Sequence, residues 1–399
     1  MLDLPVPGAA RQYARKQNLA FFFLGVFLVY VVFFTSLTMI PLYILELGGS
    51  EFHSGLQSTL LFLAAVFLRL YLGPMADSRG RKIPLLIGAF AFCTSSLLYV
   101  MANSIWVVMF IRIYEAIGLA AFLSSASSFV ADTAPEGKLG RYMSFHRFII
   151  TLALLAGPSG ALFIINIYSF ATWFTINFGL GFFALIMLGL VKTSPLGVTK
   201  FSSRERLFHV LKNSNLWPIF LGIILLAFSY GILLTFVSIY IMQVTDIKNP
   251  GIYFTYYSIA GLLANFSAGY LSDRFGRLVV SLPFVMLMGL GLAILFLLPV
   301  QPKILIISSI MTGFGYFGGS LSLIAWLIEI SDLEVRGTVL SIQESGMDLA
   351  VAASSFVVGI TSSWLGLSIS FFIVGLSMLL FVPLFAYRKR NLLRSLDGS

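Results

Sequence analysis

Charge is what this chain has least of. Asp, Glu, Lys and Arg make up 10% of its 399 residues and hydrophobic types make up 59%, whereas charged residues form about a quarter of an ordinary soluble domain. A water-facing surface cannot be assembled from so few charges. That excludes a soluble globular fold and leaves an all-α integral membrane protein. Cysteine is nearly absent as well: Cys93 stands alone inside an apolar run, which excludes an internal disulfide and a multi-cysteine metal site. Histidine is scarce, with three in the chain, and there is no P-loop and no Ser-His-Asp setting. We therefore expect no enzyme, no cofactor and no bound metal.

What the chain has in quantity is apolar runs of the roughly 20 residues that cross a bilayer. Bounded by Gly, Pro and charge, they predict twelve helices near 19–46, 55–73, 83–101, 105–130, 141–165, 171–191, 215–243, 251–271, 278–298, 303–330, 338–361 and 366–387. The run from Leu19 follows Arg11, Arg15 and Lys16 and lacks a small-residue cleavage site, so it reads as a retained first helix. Of the 25 Lys and Arg, Lys248 and Lys303 alone fall on the side away from the N-terminus, while Arg69 and Arg112 fall within helices. By the positive-inside rule both termini are cytoplasmic, in a cell-membrane protein. The net charge of +9 then reflects contact with anionic lipid, and nucleic acid is not an expected partner.

One stretch breaks the apolar pattern twice. "GPMADSRGRK" at 73–82 and "GYLSDRFGRL" at 269–278 place Gly73 and Gly269, Asp77 and Asp273, Gly80 and Gly276, and Arg81 and Arg277 at one constant offset of 196 residues. Asp132 and Arg141 are loosely echoed by Glu329 and Arg336. A polar segment, 192–214, divides the halves and contains "SSRERLFHVLK", the pattern of a short interfacial helix. The reading is a duplication: an N-terminal six-helix bundle over 1–191, a cytoplasmic linker over 192–214 and a pseudo-symmetric C-terminal six-helix bundle over 215–399.

These stretches resemble the major facilitator superfamily over essentially the whole chain. The family pattern Gly-x-Leu-x-Asp-Arg-x-Gly-Arg after helix 2 is closely matched by "GYLSDRFGR", and the first copy departs at Met75 and Ser78. "RIYEAIG" at 112–118 resembles the helix 4 pattern Arg-x-x-x-Gly-x-Gly, and "GPSGA" at 157–161 is similar to an antiporter motif in helix 5 without its trailing glycines. The resemblance implies alternating access, a repeated loop that latches the bundles on the cytoplasmic side, and helices 1 and 7 beside a central cavity, which makes Thr35 and Tyr230 candidates to line it. It also implies that helices 2 and 11 meet.

Ionisable groups at depth need a partner or a task. Arg112 and Glu115 are three apart on helix 4, and Glu344 and Asp348 are four apart on helix 11. At 1.5 Å per residue, Glu115 and Asp348 each lie about 15 Å from a helix end. A proton relay and a static buried pair both remain open. Arg69 and Glu344 are expected to pair as part of the cytoplasmic gate. Asp348, with only Glu344 nearby in sequence, is expected to carry the proton, and Glu115 to position Arg112. The leading reading is proton-coupled export of a small organic molecule by a monomer, with membrane lipids as surroundings. Importer or uniporter of a sugar or organic acid, and flippase for a lipid-like substrate, are the alternatives.

Overall fold

The computed structural model describes residues 8–135, 138–192, 210, 212–213, 216–332 and 335–396, with backbone alone for 8–16, 73–74, 76–79, 337 and 383–396. The helix expected within 192–214 lies almost wholly outside the described residues. Eleven α-helices follow in order among those described: α1 Gly8–Glu46, α2 Glu51–Arg79, α3 Lys82–Val100, α4 Ile105–Thr133, α5 Leu139–Ile167, α6 Phe170–Leu190, α7 Trp217–Val244, α8 Ile252–Phe275, α9 Arg277–Ala293, α10 Ile304–Glu329 and α11 Arg336–Leu396. A backbone without water must satisfy its own amides, and apolar helices do so within one segment.

Ten of these helices are long and apolar enough to span a bilayer, which makes this a multi-pass membrane protein. Twelve spans were expected, and two causes account for the difference. Helix α8 carries Thr255, Tyr256, Tyr257, Ser258 and Asn265, which lower its hydropathy below that of a lipid-facing span. The apolar stretch Thr338–Val382 runs for 45 residues, roughly twice the ~30 Å hydrocarbon core at 1.5 Å per residue. It breaks at Gly366, where φ is 76°, into limbs 336–365 and 367–396.

The repeated stretch is helix for longer than its glycines suggested. Helix α2 runs to Arg79 and α8 to Phe275, and the chain turns at Gly80 (φ 84°) and Gly276 (φ 90°). A side chain at that positive φ is strained, so only glycine turns there freely. The constant offset therefore marks two equivalent turns.

Helices α1 to α6 pack on one another through α3 with α4 and α6, α2 with α4, and α1 with α5 and α6. In the second half α10 packs on α8 and α9, and α11 on α7 and α9. The halves meet where α2 crosses α11, α5 crosses α8 and α1 crosses α7. Small residues permit the close crossings: a Cβ on Gly55 would strike the Ser355 carbonyl and Gly359, and one on Gly251 would come within 2.8 Å of the Pro158 carbonyl. Near these crossings Asn166 Nδ2 donates to the Lys248 carbonyl at 2.7 Å, Gln243 Nε2 to Glu51 Oε1 at 2.8 Å and Thr59 Oγ1 to the Ala352 carbonyl at 3.0 Å. These bonds lie toward the end of the assembly remote from residue 192, here the far end. Gly80 and Gly276 lie at the linker end.

Candidate functional site: two ion pairs and a cavity

Inside the first half, α4 places Arg112 and Glu115 on one face, and both are fully buried. Arg112 Nη1 lies 2.7 Å from Glu115 Oε2 and 2.7 Å from Ser36 Oγ, Nη2 donates to the Ser36 carbonyl at 3.2 Å, and Nε donates to Gln57 Oε1. Tyr99 donates to the same Glu115 Oε2 at 2.7 Å. Four helices, α1 to α4, thus converge on one ion pair. Such saturation offsets the cost of desolvating both charges, which the pair alone would not do. Glu115 Oε1 is the exception, buried without a hydrogen-bond partner.

The second pair joins the halves. Arg69 Nη2 on α2 lies 2.7 Å from Asp348 Oδ2 on α11, with side chains 11% and 13% exposed. This corrects the expected pairing of Arg69 with Glu344. One helical turn separates the two acids, and the guanidinium reaches Asp348, while Glu344 Oε2 accepts from Ser124 Oγ of α4 at 3.2 Å. It also sets a cation against Asp348, which has only Glu344 near it in sequence. Here satisfaction is incomplete: Arg69 Nε and Nη1 are buried without hydrogen-bond partners, and Asp348 Oδ2 makes its ion pair outside hydrogen-bond geometry.

A third group gathers residues of α5, α7, α8, α10 and α11. Arg147 sits two turns into α5, within the helix expected over 141–165. Its side chain is exposed, yet Tyr316 of α10 and Glu344 of α11 lie within Coulombic range. Tyr230 of α7 stacks on Tyr316 with ring centroids 4.2 Å apart, and Tyr257 continues the stack at 6.4 Å from Tyr230. The Tyr257 hydroxyl and both ring nitrogens of His146 are buried without partners. Tyr230, expected beside a cavity, is partly buried in this aromatic group. Thr35, expected beside the same cavity, is fully buried, donates to the Val31 carbonyl at 2.8 Å and contacts Asn177 Oδ1 at 3.3 Å, so it faces α6.

At the linker end the two repeats do the same thing. Arg81 Nε lies 3.1 Å from Asp132 Oδ2, and Arg277 Nε lies 3.0 Å from Glu329 Oε2. Each arginine grips the C-terminal end of the fourth helix of its own half. Arg277 also pairs with Asp273 at 2.5 Å. Gly73 and Asp77 fall within α2, Gly269 within α8, and the side chain of Asp77 lies outside the described residues. The described charges of the repeat clamp within a half, whereas a latch between halves was expected of them.

Sequence reading missed Gln57, Tyr99 and Arg147. Gln57 left one usable signal, an amide inside an apolar helix, which must find partners or forfeit its hydration. Tyr99 and Arg147 left none, because only the crossing of helices brings them to a charge.

Comparison with known proteins agrees with this architecture. The sequence model described as "Major Facilitator Superfamily" matches residues 22–264 and again 248–396. "Multidrug resistance protein MdtG" of Klebsiella pneumoniae (strain 342) is 25% identical over 300 residues, 72% of this chain and 71% of that one. The MdtG of Yersinia enterocolitica is 26% identical over 301 residues, 71% of this chain and 70% of that one. Among solved structures, a mutant of the nucleoside transporter NupG superposes with TM-score 0.78 at 13% identity, covering 93% of this chain and 99% of that one. A POT family transporter in complex with 5-aminolevulinic acid gives the same score and identity over 92% of this chain and 95% of that one. At 13% these last two attest the fold alone. With matches across nearly its full length, the chain belongs to the Major Facilitator Superfamily and is a transport protein.

Proposed function

We propose that this protein is a proton-coupled exporter of small organic molecules, working by alternating access as a monomer in the cell membrane. In this reading the two limbs of α11 count as separate passes, giving twelve. Residues 1–191 and 215–399 form pseudo-symmetric bundles, 192–214 links them, and the linker end with both termini is cytoplasmic. The observation that carries it is the Arg69–Asp348 ion pair, a partly buried pair whose partners sit on opposite halves. The MdtG relatives, named for multidrug resistance, support the direction of transport.

The chemistry follows from placement. Protonation of Asp348 removes the negative partner of Arg69, so the α2–α11 seam loses its attraction at that level and the halves can separate there. Loss of the proton restores the pair. A guest in a cavity beside Arg147, Tyr230 and Tyr316 meets aromatic faces and a cation. Because Glu344 and Asp348 lie on the same α11 limb, a bound guest and a bound proton act on one element. Arg112 and Glu115 are enclosed in the first half and tune it without touching the guest.

The test is transport into proteoliposomes with an imposed pH gradient. Asp348→Asn should still bind a transported dye but no longer concentrate it. Uphill transport with normal pH dependence in that variant would remove Asp348 as the carrier. Orientation is checked separately: a cysteine at Asn249 should react with impermeant thiol reagents only from outside, and one at Ser203 only from inside.

A further inference from the structure

Gln57 links the sealed Arg112 cluster to the seam between the halves. Its side chain is fully buried. Oε1 accepts from Arg112 Nε, while Nε2 donates to the Ser54 carbonyl at 2.8 Å and to Ser58 Oγ at 2.6 Å. Ser58 Oγ accepts from Thr235 Oγ1 of α7 at 3.1 Å, and Thr235 Oγ1 lies 3.0 Å from Ser355 Oγ of α11. Ser58, Thr235 and Ser355 are themselves buried. A continuous chain therefore runs from Tyr99 and Glu115 through Arg112, Gln57 and Ser58 to two helices of the other half.

The donors and acceptors allow one arrangement. Arg112 has no acceptor to offer, so Gln57 must turn its oxygen to it; the amide hydrogens are then committed to Ser54 and Ser58. Thr235 gives its one hydroxyl hydrogen to Ser58, so Ser355 must donate to Thr235. If the amide rotates away from Arg112, it abandons Ser58 in the same movement. Every group in the chain is desolvated, so each lost bond leaves an unpaired buried atom.

We propose that Gln57 is a positioning residue that couples the charge state of the Arg112–Glu115 pair to closure of the halves at the Ser58–Thr235–Ser355 junction. Neutral Glu115 gives up its hold on Arg112 Nη1, the guanidinium re-seats on its remaining acceptors, Ser36 and Gln57, and the amide that orients the junction moves with it. The inference rests on the reading above that the halves move relative to each other, but it does not need the proton to be the driving ion.

The experiment measures the separation of the far ends with spin labels on Met101→Cys and Val300→Cys, both strongly exposed, 74% and 83%, and in opposite halves. Cys93 is buried and stays unlabelled. Glu115→Gln should shift the ratio of closed to open far ends about tenfold, the scale of one charged buried hydrogen bond. In a Ser58→Ala, Thr235→Val background the same change should shift it less than about twofold, and in a Thr235→Ser background, which keeps the hydroxyl, the full response should return. Thermal unfolding run in parallel separates coupling from general destabilisation, because a purely structural role would lower stability without removing the response to Glu115→Gln. A Glu115→Gln response that is absent in the intact chain, or undiminished when Ser58 and Thr235 are altered, overturns the inference. Failure of the proton-coupled reading shows elsewhere, as uphill transport retained in Asp348→Asn.

Discussion

The two buried ion pairs differ in what completes them. Arg112–Glu115 lies inside one half, wholly enclosed, and groups from α1, α2 and α3 leave every guanidinium nitrogen with a partner and one carboxylate oxygen without. Arg69–Asp348 lies between halves, slightly exposed, with two guanidinium nitrogens left over. A pair whose partners all belong to one half keeps its surroundings when the halves shift. A pair whose members belong to different units, and whose spare valences nothing occupies, can be broken without dismantling either unit. The same chemical couple is thus enclosed within one half in one place and spans the two halves in the other, and under the proposed mechanism only the second must break.

The strongest way to break this contrast is to remove each arginine. Arg112→Ala strands Glu115, Tyr99 and Gln57 in the dry interior, and one-sided loss of a buried pair costs about 3–5 kcal/mol. Thermal unfolding in detergent should show a protein that is barely folded or not recovered at all. Arg69→Ala leaves Asp348 at a seam that solvent touches, so the expected loss is smaller, about 2 kcal/mol. The addition of Asp348→Asn should recover most of that loss, because the uncompensated charge is gone. Equal losses from the two arginines would mean that the seam pair is as structural as the enclosed one.

A smaller effect sharpens the contrast from the side of packing. Gly55→Ala places a methyl group against the backbone of Ser355 and Gly359, neither of which can rotate away. The helices must separate, at a cost of about 1–2 kcal/mol typical of overpacking. Spin-labelled far ends should shift toward the open population. No change in far-end separation would show that the α2–α11 crossing is not what closes that end.

How much of this was legible beforehand follows from the range of each interaction. Helices were readable because hydropathy and glycine act locally, and the constant offset of Gly80 and Gly276, of Arg81 and Arg277, announced equivalent turns. Arg112 and Glu115 were readable because both partners share one helix. Arg69 was recognised as a group at depth, but its partner was misassigned by one turn, since the crossing register of α2 and α11 is written in neither helix. Gln57 and Arg147 acquire meaning only when α2 meets α4 and α7, and when α5 faces α10 and α11. Apolar periodicity places a residue on a helix; it does not say which helix stands opposite.

The last and smallest effect concerns the two turns at the linker end, where the repeat invites a direct comparison. Arg81 with Asp132 and Arg277 with Glu329 occupy matched positions, and both pairs are partly solvated, the acids being 31% and 60% exposed. Screening by water and salt reduces such pairs to about 1 kcal/mol or less. Arg81→Gln and Arg277→Gln should therefore each lower stability by about that much or less, by similar amounts, and the difference from the parent should shrink further in concentrated salt. If these arginines clamp the fourth helix of their own half, neither change should move the far-end separation or the Arg69–Asp348 pair. If instead either one shifts the balance between open and closed halves by tenfold or more, with little loss of stability, then that turn is a latch across the seam and the within-half pairing seen here is only one of its two arrangements.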